Sequence, residues 1–469
     1  MQLPGTLLNS LNGTKGFDKE SFEKVHAIPE QITSVRVNPF KRLGVSCEVS
    51  VVSHEPHISH LTPGTLHQPV PWSQHGYYLS KRPSFTFDPL FHAGCYYVQE
   101  ASSMFLEQAL KQTVDLSKTI KVLDLCAAPG GKSTHIQSLI TKDSLLVSNE
   151  VIKSRANVLK DNIIKWGNDN VVVTNNDPAD FGKLENYFDV IVIDAPCSGS
   201  GLFRRDEEAM TEWSLNNVAL CSQRQQRILA DVWPALKPGG VLIYSTCSYS
   251  KDEDEEIIDW ISVEFEVSSL QLAVENSWGI TETVSDKHKS YGYRFWPDKI
   301  KGEGFFISCF RKIGDDEKFS LRTKNKITLA TKKDISVIRP WVEETDHVFI
   351  THNNIVYAIP AALIEDVNML LAALRVQYSG IIVGEIFGDK LVPAHALALS
   401  NLVSKSIPFT VPDYENAIQY LRKKEFYSIT KDKGWQLVNY EGYFLGWVNV
   451  LSNRVNNYYP KELRILKDS

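Results

Sequence analysis

At 469 residues the chain exceeds one ordinary domain, and with 43% hydrophobic residues it can build about two to four cores. A formal net charge of -6 excludes bulk charge as a reason to hold nucleic acid and leaves that role to a local basic surface. Seven scattered cysteines without a CxxC pair exclude a disulfide framework and read as reduced thiols of a cytoplasmic protein.

The opening MQLPGTLLNSLNG lacks the basic and apolar regions of a secretory signal, and no window approaches the length of an apolar membrane span. Residues 1–105 form a first ancillary domain, with a strand expected over SVRVN, 34–38. WSQHGYYLSKRPSF, 72–85, sets Lys81 and Arg82 among aromatic residues. Such a mixture can stack bases and meet phosphates, or simply pack a small core.

Residues 106–312 have a clear rhythm. KVLDLCAA, SLLVSNE, NVVVTNND, DVIVIDAP and GGVLIYSTC are short branched-aliphatic runs, most of them separated by enough chain for a helix. That alternation predicts an α/β unit with a largely parallel sheet covered on both faces. GYRFWPDKIKGEGFFISCFRK predicts an antiparallel pair that closes the sheet. A polar, lysine-bearing linker is expected over 313–334, and a last unit over 335–469 with a helix in AALIEDVNMLLAAL.

CAAPGGKST, 126–134, follows the first of these strands, where small residues let a ligand approach the backbone. It is neither GxGxxG nor a Walker loop. Glu150 ends the second strand, where a carboxylate can accept both hydroxyls of a ribose, and Asp177 follows the third, to serve adenine or cap a turn. Asp124 and Asp194 lie near the ends of the first and fourth. Four carboxylates on one rim favour a pocket for a nucleotide-like ligand, although each alone could be a cap.

Cys197 and Cys247 emerge at the same rim, past the fourth and fifth strands. Proline precedes one of them and polar loops follow both, which favours chemistry over burial as small hydrophobes. No histidine stands near either in sequence, so a papain-like site is unsupported. His135 reads as a packing or surface residue, and the isolated histidines give no metal pattern.

DLCAAPGGKSTH, SNEVIKSR, DAPCSGSGLFRR and YSTCSYSKDEDEE together resemble the successive motifs of the S-adenosylmethionine-dependent RNA cytosine-5 methyltransferases, the NOL1/NOP2/Sun family. LVPAHALAL and GYFLGWVNVLSNRVNNYYPKELRI resemble the C-terminal region of its bacterial 16S rRNA branch. The resemblance implies a Rossmann-like class I core with a seven-stranded, mostly parallel sheet, a small N-terminal α+β domain and a C-terminal PUA-like RNA-binding region. It implies S-adenosylmethionine held by Cys126, Ala127, Ala128, Pro129, Gly130, Gly131 and Lys132, with Glu150 on ribose, Asp177 and Arg155 at adenine, and Asp194 between cofactor and base. Cys247 would attack the base, Cys197 would assist release, and Arg204 and Arg205 would meet flanking phosphates. The partner implied is 16S rRNA or a small-subunit particle, met by a monomer, with tRNA or another rRNA, or a non-catalytic assembly role, as alternatives. Two positions depart from the family's usual pattern: Asp254 stands where Asn is usual, and Asp298 follows Trp296-Pro297 where a basic residue is usual.

Overall fold

The fold is that of a computed structural model, which describes residues 3–28, 31–41, 66–315, 324–344, 346–425 and 432–467. Positions 316–323 of the expected linker lie outside the described residues.

The first four strands, β1 (Thr33–Val37), β2 (Leu66–Pro69), β3 (Gly76–Leu79) and β4 (Tyr96–Val98), form an antiparallel sheet in the order β2-β3-β1-β4. The strand expected at 34–38 is β1.

The branched-aliphatic runs become β5 (Lys121–Asp124), β6 (Leu145–Asn149), β7 (Val171–Thr174), β8 (Phe188–Asp194) and β9 (Leu236–Thr246). Short β10 (Val267–Leu270) and β11 (Thr281–Val284) follow, and the expected antiparallel pair is β12 (Tyr291–Phe295) with β13 (Phe305–Lys312). The remaining strands are β14 (His347–His352), β15 (Ile355–Pro360), β16 (Val376–Ser379), β17 (Ile381–Phe387), β18 (Lys390–Pro393), β19 (Phe409–Thr410), β20 (Gly434–Tyr440), β21 (Tyr443–Val450) and β22 (Val455–Asn457). Most of these form two four-stranded sheets, β14-β15-β17-β18 and β19-β20-β21-β22.

The central sheet runs β11-β12-β13-β9-β8-β5-β6-β7-β16, with β10 beside β13. Its middle, β9-β8-β5-β6-β7, is parallel throughout. The expected count of seven strands is corrected to ten. Antiparallel β10 and β11 extend one side, and β16 pairs antiparallel with β7 on the other. Patterning along the core segment could not show these additions, because short half-exposed strands carry little apolar signal.

Period-two alternation divides the parallel strands between two cores. Val122, Leu146, Val173, Val190 and Ile243 face one side, against Leu106, Leu110, Leu159 and Ile163 of the helices Leu106–Thr113 and Lys153–Trp166. Leu123, Val147, Val172, Ile191 and Leu242 face the other. There they meet the helices Leu215–Val232, Glu255–Glu264 and Ile364–Ala373, the last being the helix expected in AALIEDVNMLLAAL. Parallel strands side by side deliver their C-terminal ends to one rim, and that rim carries the site.

Candidate active site

Strands β8 and β9 are neighbours, with Asp194 opposite Ser245. Adjacent strands lie about 5 Å apart, so residues two or three positions beyond that pair can meet across the strand ends. Cys197 and Cys247 do so, with sulfurs 2.9 Å apart and no covalent bond. The loops after them are laced together: Gly201 N–H donates to the Cys247 carbonyl (2.8 Å), and Gly304 N–H donates to Gly201 O (3.3 Å). A Cβ at Gly201 would stand 2.7 Å from that Cys247 oxygen and 2.6 Å from Gly304 O, so the close approach requires glycine.

Glu253 clamps the two cysteine loops. Its buried carboxylate accepts from Ser198 N–H (2.8 Å), Ser198 Oγ (2.5 Å), Ser248 Oγ (2.6 Å) and Gln225 Nε2 (3.1 Å). Gln225 also donates to Pro196 O (3.0 Å) and accepts from the Tyr244 hydroxyl (3.0 Å). Next to the clamp, Asp254 is fully buried, accepts from Thr246 Oγ1 (2.7 Å) and faces the Arg294 guanidinium at 3.0 Å. Arg294 also pairs with Glu255 and donates to Tyr249 O. The departure at 254 is thus accommodated by an acceptor role and a buried cation. Sequence reasoning missed Glu253 and Arg294 as parts of the site; the signal available was an acidic run directly after a strand end.

The Cys197 thiol is pushed well above its ordinary range, first by its hydrogen bond to Cys247, then by burial and by negative charge on Cys247 and Glu253. Those influences favour the protonated form of Cys197.

Asp194 sits beside this pair on the rim. Its oxygens accept from Lys132 Nζ (2.8 Å) and Ser245 Oγ (2.9 Å). Lys132 also lies over the Phe305 ring, 5.2 Å from its centroid. The glycine loop turns at Gly130, whose φ of 113° favours glycine, and the helix Gly131–Gln137 follows. Arg155 links the loop to the next strand, donating to Ala128 O (2.9 Å) and standing 3.5 Å from Glu150. Glu150 accepts from Ile152 N–H (2.9 Å). Cys126 is half-buried in the wall, and desolvation raises its thiol. Asp124 accepts from Ser133 Oγ (2.6 Å), while its other oxygen is buried with no hydrogen-bond partner among the described residues. Burial raises its carboxyl to about 7, and the charges of Lys132, Asp194 and Glu150 all reach it.

Asp177 stands apart from this group on the exposed rim, capping Ala179 N–H (3.2 Å) and facing Arg227 at 3.5 Å. Arg204, expected at phosphates, has its side chain largely covered in this structure, facing buried Glu303 at 3.6 Å and donating to Gly302 O (3.3 Å). Arg205 remains partly exposed. His135 is buried and contacts Glu107 at 3.1 Å.

Residues 111–311 match the family described as 16S rRNA methyltransferase RsmB/F. Residues 3–101 match the N-terminal domain of 16S rRNA methyltransferase RsmF, and 410–465 match the methyltransferase RsmF PUA domain. The ribosomal RNA small subunit methyltransferase F of Vibrio vulnificus is 30% identical over 416 residues, covering 85% of this chain and 86% of its own. That of Vibrio campbellii is 30% identical over 464 residues, covering 92% and 91%. Among solved structures, a methyltransferase homolog protein from Pyrococcus horikoshii is 27% identical with a TM-score of 0.50, covering 66% of this chain and 100% of that one.

Proposed function

Because the chain belongs to the RsmB/F family of 16S rRNA methyltransferases, with that family's N-terminal and PUA domains, we propose that it transfers a methyl group from S-adenosylmethionine to C5 of a cytosine in 16S rRNA. The observation that carries this reading is the pair of sulfurs 2.9 Å apart on the rim, beside a Lys132–Asp194 ion pair.

The residues fit the cofactor. Its ammonium group would satisfy the unpartnered buried oxygen of Asp124, and the segment Cys126 to Lys132 would hold the methionyl end. Glu150 would take the ribose hydroxyls, with Arg155 and Asp177 toward adenine. When bound, the cofactor supplies an electrophilic methyl group on a sulfonium.

Cytosine C5 belongs to an electron-poor ring and is a weak nucleophile. The Cys247 thiolate adds to C6, forming a carbon–sulfur bond and moving the ring electron pair toward C5, which then takes the methyl. As N3 takes up a proton from solvent, the Asp194 carboxylate accepts its hydrogen bond and stabilises the charge that develops on addition; N3 gives the proton back on release. Cys197 next removes the proton left on C5. The electron pair restores the C5–C6 double bond, and the Cys247 sulfur departs. Bonding Cys247 to carbon removes its charge, and with it two of the influences that hold the Cys197 proton; Cys197 then gives that proton to water, and the thiolate left behind is the base that takes the C5 proton. To enter the site the base must leave its stack, at a cost of about a few kcal/mol.

Incubation with 16S rRNA and cofactor, followed by a denaturing gel, tests the roles. Cys247→Ala abolishes turnover and covalent capture, whereas Cys197→Ala accumulates an RNA–protein adduct. The reverse pattern overturns the assignment of the two thiols. Mapping 5-methylcytosine with and without the enzyme tests the substrate: unmodified 16S rRNA alongside a modified tRNA rejects the ribosomal reading.

A further inference from the structure

A groove of about 690 Å³ opens between the N-terminal sheet and the loop that precedes β13, and the reaction above makes no use of it. Lys81, Arg82 and Lys301 line it, with Gln31, Gln68 and Tyr78, and no acidic residue is among its described lining. Three cations along one groove form a local exception in a chain of net charge -6. Lys81 and Arg82 are exposed; Lys301 reaches Gln68 Oε1 (3.0 Å) and lies over the Tyr78 ring, 5.2 Å from its centroid. The Tyr78 hydroxyl is buried and has no hydrogen-bond partner among the described residues, which leaves an unused donor on the groove wall.

Both walls join the cysteine loops. Gln31 donates to Arg204 O (3.3 Å) on one side. On the other, Lys301 lies three residues before Gly304, which is bonded to Gly201, itself bonded to Cys247 O. The Arg204 side chain, set against Glu303 and Gly302 O, ties these segments together, so the groove walls are braced by the loops that carry the sulfurs.

We propose that this groove binds the single-stranded RNA segment directly flanking the target cytosine, with phosphates on Lys81, Arg82 and Lys301. A base drawn out of its stack must bring its neighbouring phosphates with it, and the groove walls are bonded to the cysteine loops. Single strands suit the site because contacts to phosphate and sugar hold the backbone whatever the sequence. The assignment rests on the methyl-transfer reading.

The test measures the affinity of the full chain for a labelled single-stranded oligoribonucleotide against salt concentration, beside a fully paired hairpin of the same length. Each lost phosphate contact lowers the log–log salt slope by about 0.7. The exposed double variant Lys81→Gln/Arg82→Gln therefore loses about 1.4, and adding Lys301→Gln brings the loss to about 2. In turnover, the double variant raises KM for RNA and leaves kcat unchanged, the signature of lost uniform binding. An unchanged slope, an equal loss for the hairpin, or a fall in kcat alone overturns the proposal. A wild-type chain that binds the oligonucleotide with the expected slope yet methylates no RNA leaves the groove standing and removes the reading beneath it.

Discussion

Replacing Glu253 with alanine removes the one side chain that ties both cysteine loops together. Four donors lose their acceptor: Ser198 N–H, Ser198 Oγ, Ser248 Oγ and Gln225 Nε2. The two hydroxyls can turn to other partners; the two N–H donors cannot. At about 1–3 kcal/mol for each buried donor left unpaired, the loss of stability is about 2–6 kcal/mol. The kinetic effect is larger in proportion, because a shift of about 1 Å between reacting groups costs roughly a hundredfold in rate. Glu253→Gln separates position from charge. Its carbonyl serves the two N–H donors and its amide donates to the hydroxyls of Ser198 and Ser248, so stability and most of the rate return. The amide also removes a negative charge that helps hold the Cys197 proton, so the pH at which product release becomes fast moves downward. The assays are urea unfolding, the rate of adduct formation on a denaturing gel, and the pH profile of turnover. An alanine variant that forms adduct at the wild-type rate refutes the clamp, as does a glutamine variant as slow as alanine with an unchanged unfolding midpoint.

Arg294→Gln leaves Asp254 and Glu255 as buried carboxylates without their cation and costs about 3–5 kcal/mol in urea unfolding; a loss below about 1 kcal/mol refutes the role given to that ion pair. Asp124 gives a pH test. Its folded carboxyl near 7 lies above the ordinary value of about 3.9, so the folded state binds the extra proton between them. Its contribution to stability is full below about pH 4 and is lost as pH rises through about 7. In Asp124→Asn that dependence disappears, and the Tm of the variant relative to wild type climbs over this window and then levels off. A difference that stays constant with pH refutes the reading.

The parallel middle of the central sheet was legible because its strands are buried on both faces and read as unbroken aliphatic runs. The meeting of Cys197 and Cys247 follows from the same fact, since two thiols just beyond neighbouring strands must share a rim. What the side chains do between elements was less legible. Arg204 looks like a phosphate ligand until Glu303, ninety-nine positions away, is seen buried beside it. Glu253 lies in an acidic run that composition assigns to solvent, and only the packing of the helices Leu215–Val232 and Glu255–Glu264 against the strand ends encloses it. Asp177 could be placed on the rim from its position after β7, but its orientation toward Arg227 and a local turn depends on a distant helix.

Strand β16 comes from far down the chain, yet it completes the edge of the sheet that begins at β5. Its register with β7 is reinforced where Arg375 N–H donates to Asn176 Oδ1 (3.0 Å) and Asn175 N–H donates to Arg375 O (3.0 Å). Swinging the C-terminal portion away would break main-chain bonds next to Asp177 and bare an open strand border prone to pairing with other chains. Hinged movement of that portion about this border is thereby disfavoured, and residues 376–379 are held at one station against β7.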